Sequence, residues 1–241
     1  VDRDRAEQLL STNADAIPLS DVDSARGGFE GRMPLIVVRR MEQLHVHHRQ
    51  EAELELAALG VRQDLVNLLA RPDVTPERYP RSIDLGCGTG LSGAAFTDMV
   101  NALDGVDLSG KMLGKAAGKG CYDHLYEDSI LHHLVSTGET YDLFLATDVF
   151  IYVGDLLPIF TAAQAIARPN ALFCFSTEHL DRGTYQLLPT GRFAYSLDYI
   201  EDIAKRTGWK VLAQEPTDLR KERDAWLAGD LWILRLDALP V

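Results

Sequence analysis

Residues 83–93, Ile83-Asp84-Leu85-Gly86-Cys87-Gly88-Thr89-Gly90-Leu91-Ser92-Gly93, read as an apolar strand carrying an acid, a glycine turn and the opening of a helix. Gly86, Gly88 and Gly90 remove Cβ where the chain must reverse sharply, so a ligand can lie against bare backbone. A nucleotide-like cofactor is the natural occupant. The dinucleotide fingerprint G-x-G-x-x-G needs its third glycine one place later, where this chain has Leu91, and that mismatch turns the reading away from NAD.

Working outward, Leu103-Asp104-Gly105-Val106-Asp107-Leu108-Ser109 is a second apolar strand ending in a carboxylate, about twenty residues after the glycine turn. Asp107 is placed to accept hydrogen bonds from both hydroxyls of a ribose at the carboxyl edge of a sheet, where ligands of open α/β folds collect; the alternative is a helix cap, which Ser109 could also supply. Met112, one turn further, would lie over an adenine face or simply pack in the core. The third strand ends Tyr126-Glu127-Asp128-Ser129, where Asp128 can accept from an exocyclic amine or, again, cap a helix. The fourth, Tyr141 to Thr147, brings Thr147 and Asp148 to the lip of the same site.

Short apolar runs alternating with helical stretches predict an α/β chain with a mostly parallel sheet flanked by helices. The predicted strands are 82–85, 102–107, 122–126, 141–147, 171–177, 210–215 and 231–237, seven in all, the last two an antiparallel pair. The predicted helices are 91–101, 110–118, 129–135, 156–168 and 195–207, with Gly114, Gly118 and Gly120 weakening the second. Residues 1–32 read as an N-terminal extension. Residues 33–78 hold helical leucine spacing broken near Gly60, then Pro72 and Pro76, and are expected to form a lid over the acceptor site; residues 79–241 form the cofactor-binding core.

The acid-x-Gly-x-Gly-x-Gly arrangement of Asp84, Gly86, Gly88 and Gly90, with Asp107 on the next strand, resembles class I S-adenosylmethionine (SAM)-dependent methyltransferases. Residues 59–62, 105–109 with Met112-Leu113, 151–156 and 191–196 are further similar to methyltransferases fused to tetratricopeptide repeats, although the chain carries no such repeats. The resemblance implies a Rossmann-like fold, SAM as cofactor and methyl transfer to N, O, S or C of a small-molecule acceptor. It places cofactor contacts at Arg62, Asp84, Gly86, Cys87, Gly88, Gly90, Asp107, Leu108, Met112, Asp128, Ser129 and Asp148, with Arg62 pairing the methionine carboxylate and Asp84 near its amino group. Where an acceptor needs a base, Tyr152 and His179 are the candidates. The alternative function is a SAM-binding regulatory or interaction protein without turnover.

The formal net charge of -12 disfavours a nucleic-acid partner, since that affinity is built from Lys and Arg. Thr147-Asp148-Val149-Phe150 also lacks the double proline of enzymes that methylate nucleic-acid amino groups. Cys87, Cys121 and Cys174 form no disulfide pattern, and no apolar run is long enough for a bilayer, so the expectation is a soluble, cytoplasmic protein with no membrane partner and room for a protein partner or homodimer. The opening Val-Asp-Arg-Asp-Arg, without Met, suggests a trimmed chain or a domain of a longer one. His45, His47 and His48 lack a third spaced ligand, and no metal site is expected.

Overall fold

The computed structural model describes residues 62–69, 78–222 and 225–237. The predicted extension 1–32, most of the predicted lid and the histidines at 45, 47 and 48 lie outside these residues.

The order of elements is α1 (62–69), β1 (Ser82–Leu85), α2 (Leu91–Phe96), β2 (Leu103–Asp107), α3 (Gly110–Ala117), β3 (His124–Glu127), α4 (Ile130–Ser136), β4 (Tyr141–Ala146) and α5 (Leu157–Ile166). They are followed by β5 (Ala167–His179), β6 (Tyr185–Leu187), β7 (Phe193–Tyr195), α6 (Leu197–Arg206), β8 (Trp209–Glu222) and β9 (Ala225–Leu236). The sheet runs β3-β2-β1-β4-β5, all parallel, and β5 then pairs antiparallel with β9, which pairs antiparallel with β8.

All of β1 is buried, as expected of a central parallel strand covered on both faces. The period-2 alternation of β4 divides the core. Phe144 and Ala146 face a cluster with Phe160, Phe173, Phe175, Trp209 and Trp232, while Leu143 and Leu145 face Leu65, Leu68, Leu69 and Phe96. At about 25 cal/mol per Å2, each fully buried Leu or Phe contributes roughly 2 kcal/mol, so α1 is anchored by its three leucines.

Among the described residues the sheet has nine strands rather than the predicted seven. Two of them form the hairpin β6-β7 around a turn closed by Gly191 N–H donating to the Leu188 carbonyl, and β7 continues along the edge of β5 past the end of β4. The C-terminal pair is antiparallel as predicted but far longer, because the polar stretch after Glu215 pairs with β9 as an edge strand that tolerates Pro216. α2 stops short of the predicted Asn101. Thr97–Met99 tightens into a 3-10 turn whose Thr97 and Asp98 carbonyls accept from the Arg78 guanidinium, and Val100 is extended to bridge Tyr79. β3 begins at His124, not Tyr122, and Tyr195 belongs to β7, with Ser196 capping α6.

Candidate functional site

The glycine turn links the carboxyl end of β1 to α2, and Gly86, Gly88 and Gly90 all have positive φ, at 70°, 56° and 84°. At Gly86 an added Cβ would lie 2.2 Å from the Val149 Cγ2, so this glycine serves packing against the loop after β4. At Gly88 it would meet only the Met112 Sδ at 3.9 Å. Bare backbone at Gly88 and the Met112 thioether therefore face each other beside the turn.

Asp107, at the tip of β2, is buried and ties this turn to the next strand. Its Oδ2 accepts the Gly88 N–H at 2.9 Å and its Oδ1 accepts the Ser109 N–H at 2.8 Å. Ser109 caps α3 through the Met112 N–H, and Met112 lies opposite Gly88; Leu108, next to Asp107 in sequence, is half-buried.

Asp84 is 1% exposed, and its Oδ2 accepts the Tyr122 hydroxyl at 2.7 Å. Burial raises its carboxyl to about 6, with Asp107 adding to the rise and the Tyr122 hydrogen bond and Arg62 opposing it. Arg62 reaches in from α1, donating from Nε to the Ser92 hydroxyl at 2.9 Å, and Ser92 in turn lies 2.5 Å from the Thr147 hydroxyl. Burial lowers the guanidinium pKa while Asp148 and Asp84 hold it charged. Asp148 adopts φ 56°, a left-handed conformation that Asp tolerates better than most residues, with its N–H donating to the Ser176 hydroxyl at 2.9 Å. Cys87 is buried, and burial pushes its thiol up, so it packs rather than reacts.

The structure thus brings together Arg62, Asp84, Gly86, Cys87, Gly88, Gly90, Asp107, Met112 and Asp148. Asp128 follows β3 and is engaged with its own helix, accepting the Ser129 N–H at 2.7 Å and facing His132 Nδ1 at 2.7 Å, while Ser129 caps α4. Tyr152 is half-buried in the 3-10 turn Phe150–Tyr152 after β4. His179 ends β5, and its Nδ1 lies 2.7 Å from Oδ2 of buried Asp230, whose other oxygen accepts the Gln214 amide at 2.7 Å. Asp230 accepts from both sides, so the His179 ring donates from Nδ1, while its Nε2 lies 3.5 Å from Asp181 Oδ1.

Sequence reasoning missed Tyr122, Ser92 and Ser176. Gly105 was the available signal for Tyr122, since a glycine inside a strand marks a close approach. It also missed why residues 151–156 and 191–196 occur together. Phe193 packs on Gly154, and the Tyr195 hydroxyl donates to the Phe150 and Val153 carbonyls, so β7 clamps the loop that carries Tyr152.

The donor set fits the cofactor that the resemblance implies: acids at Asp84 and Asp148 beside a cation, Asp107 for paired hydroxyls, Arg62 for a carboxylate, and the Gly88 backbone with the Met112 thioether as apolar surface for a flat base.

Solved structures similar to this one are SAM-dependent methyltransferases. One from Leishmania major has a TM-score of 0.61 at 17% identity, covering 74% of this chain and 72% of that one. Magnesium protoporphyrin IX methyltransferase from Synechocystis with bound SAM has a TM-score of 0.59 at 15% identity, covering 83% and 90%. The N-methyltransferase NodS from Bradyrhizobium japonicum has a TM-score of 0.56 at 15% identity, covering 73% and 94%. The fold is therefore the Rossmann-like methyltransferase fold. No curated protein matches the sequence. Residues 83–175, from β1 with its whole glycine turn to the middle of β5, match the family model of a methyltransferase domain.

Proposed function

We propose that this protein is a SAM-dependent methyltransferase acting on a small-molecule acceptor. The observation that carries the reading is the pairing of the glycine turn with Asp107, through the Gly88 N–H. When bound, SAM supplies an electrophilic methyl that an acceptor N, O, S or C displaces in line. The chain's own part is alignment and exclusion of water, and orientation alone can supply several kcal/mol, roughly 7 to 11 in favourable cases. Asp84 holds the methionine amino group, Arg62 its carboxylate, Asp107 the ribose, and Asp128 with Ser129 the adenine amine. His179, oriented by Asp230, takes the proton where the acceptor is a hydroxyl; Tyr152 is the other group for that role.

The acceptor class is supported by the magnesium protoporphyrin IX methyltransferase among the similar structures and by the net charge of -12, which opposes nucleic acid. Segment 33–78 takes the lid role, a reading supported by the way residues 62–69 pack on the core while Arg62 enters the site. The free thiols Cys87, Cys121 and Cys174 suit a cytoplasmic setting.

Calorimetry with SAM and with S-adenosylhomocysteine tests the reading. Binding of both is expected, weakened about 10- to 100-fold by Asp107→Ala through loss of the hydroxyl-accepting carboxylate. No heat with either ligand would reject it.

A further inference from the structure

We propose that Tyr122 is a positioning residue of the cofactor site, holding the Asp84 carboxylate in the orientation that receives the methionine ammonium of SAM. The inference rests on the cofactor reading above and adds a residue that neither the glycine motif nor any strand-end acid points to.

Tyr122 lies just before β3, and glycines on two different elements make room for its ring. A Cβ at Gly93 in α2 would lie 2.4 Å from the Tyr122 Cζ, one at Gly105 in β2 would lie 3.0 Å from its Cδ1, and one at Gly90 would lie 3.0 Å from its Cε2. At Gly93 no side chain fits while the ring is there; at Gly105 and Gly90 the ring shares the close approach with Leu125 and Ala116. The space is filled by a phenol whose hydroxyl does two things at once: it donates to Asp84 Oδ2 at 2.7 Å and accepts the Gly93 N–H at 3.1 Å. Accepting from Gly93 fixes the direction of the hydroxyl proton toward Asp84. With Oδ2 taken, Oδ1 is the oxygen left for a ligand.

The groups facing Asp84 come from every element around it: Arg62 from α1, Cys87 from the turn, Asp107 from β2, and Cys121 with Tyr122 ahead of β3, while Asp148 beyond β4 acts through Arg62. Of these, Arg62 and Tyr122 favour the ionised carboxylate, and burial and Asp107 oppose it. A cationic amine needs that carboxylate ionised, so affinity for SAM and its demethylated product falls as pH drops through about 6. Removing the phenol hydroxyl raises the Asp84 pKa further and moves the midpoint of that fall upward.

The test is calorimetric titration of S-adenosylhomocysteine into wild type and Tyr122→Phe between pH 5 and pH 8, with a parallel carbon-13 carboxyl titration of Asp84 in the ligand-free proteins. Phe keeps the ring and its packing. The expected result is affinity about 10-fold weaker at pH 7, from loss of a hydrogen bond to a charged group, with both the binding midpoint and the Asp84 midpoint moved upward. Gly93→Ala, which must displace the ring, is expected to reproduce both shifts. Wild-type affinity with unmoved midpoints in Tyr122→Phe overturns the inference and leaves the cofactor reading standing. Absence of binding by wild type itself overturns the cofactor reading and this inference with it. A purely structural role for Tyr122 would lower the melting temperature without moving either midpoint, and that outcome also overturns it.

Discussion

Asp84 and Asp104 sit on neighbouring strands, one residue out of register, so they project to opposite faces of the sheet. Both are 1% exposed. Asp104 is saturated: Oδ2 accepts Arg81 at 2.9 Å and the Tyr141 hydroxyl at 3.0 Å, while Oδ1 lies 3.0 Å from His124 Nδ1. Asp84 accepts one phenol hydroxyl and feels Arg62 only at longer range. The first is a brace that fastens the amino ends of β1, β2 and β4, and the second is a buried acid left short of partners where a ligand would complete it. Burial alone does not separate structure from function; the number of groups that satisfy the acid does.

The largest effect that could break this contrast is Asp104→Ala. It strands Arg81 and the buried Tyr141 hydroxyl and should cost about 3 kcal/mol in urea unfolding, less than a fully buried pair because Arg81 is a quarter exposed. Affinity for S-adenosylhomocysteine should stay within about two-fold of wild type once the protein is folded; a large loss of affinity would show that the two faces are not separate.

Gly86→Ala and Gly88→Ala come next and sharpen the site end. Both place a side chain at positive φ, but only the first drives Cβ into Val149. Gly86→Ala should destabilise by about 2 kcal/mol and Gly88→Ala by about 1 kcal/mol. The order reverses for ligand affinity, since only the Gly88 methyl faces the Met112 side of the turn while that of Gly86 faces Val149, and calorimetry on both variants checks it.

The smallest effect carries a sign. In the unfolded chain the Asp84 carboxyl ionises near 3.8 and in the folded protein at about 6, so the folded state holds this proton more tightly. Its contribution to stability is fully present below about 4 and is lost as pH rises through about 6. Asp84→Asn removes that loss, and at pH 7 the variant should be more stable by on the order of 1 to 2 kcal/mol while binding the cofactor far more weakly. Subtracting the two pH-stability curves isolates this one group. A variant no more stable than wild type at pH 7 would mean that Asp84 is already satisfied.

The surroundings of Asp84 were more legible than those of Asp104. Asp84, the three turn glycines and Asp107 lie within a short stretch, and their spacing alone predicts a strand, a turn and a neighbouring strand tip. Arg81, His124 and Tyr141 show no such spacing, because three separate strands bring them to Asp104. The hairpin β6-β7 was hidden for another reason. Its strands are three residues each, too short for an alternation to register, although Leu188-Pro189-Thr190-Gly191 is a turn flanked by Leu187 and Phe193. The outer half of β8 was hidden because its polar stretch after Glu215 gives no apolar alternation. Tyr122 read as the first residue of a strand because its neighbours are strand-like; only the glycines opposite it, two of them outside the turn, record what it fills.

Glu178 is bonded through its backbone to Ala194 on one edge and Gly229 on the other. Beyond the end of β4, then, the rim of the sheet is a single splint running from the C-terminal ribbon through β5 to β7, and from there to the loop that β7 clamps. Shortening the ribbon between β8 and β9 would loosen that loop from a distance, without altering any residue that meets the ligand.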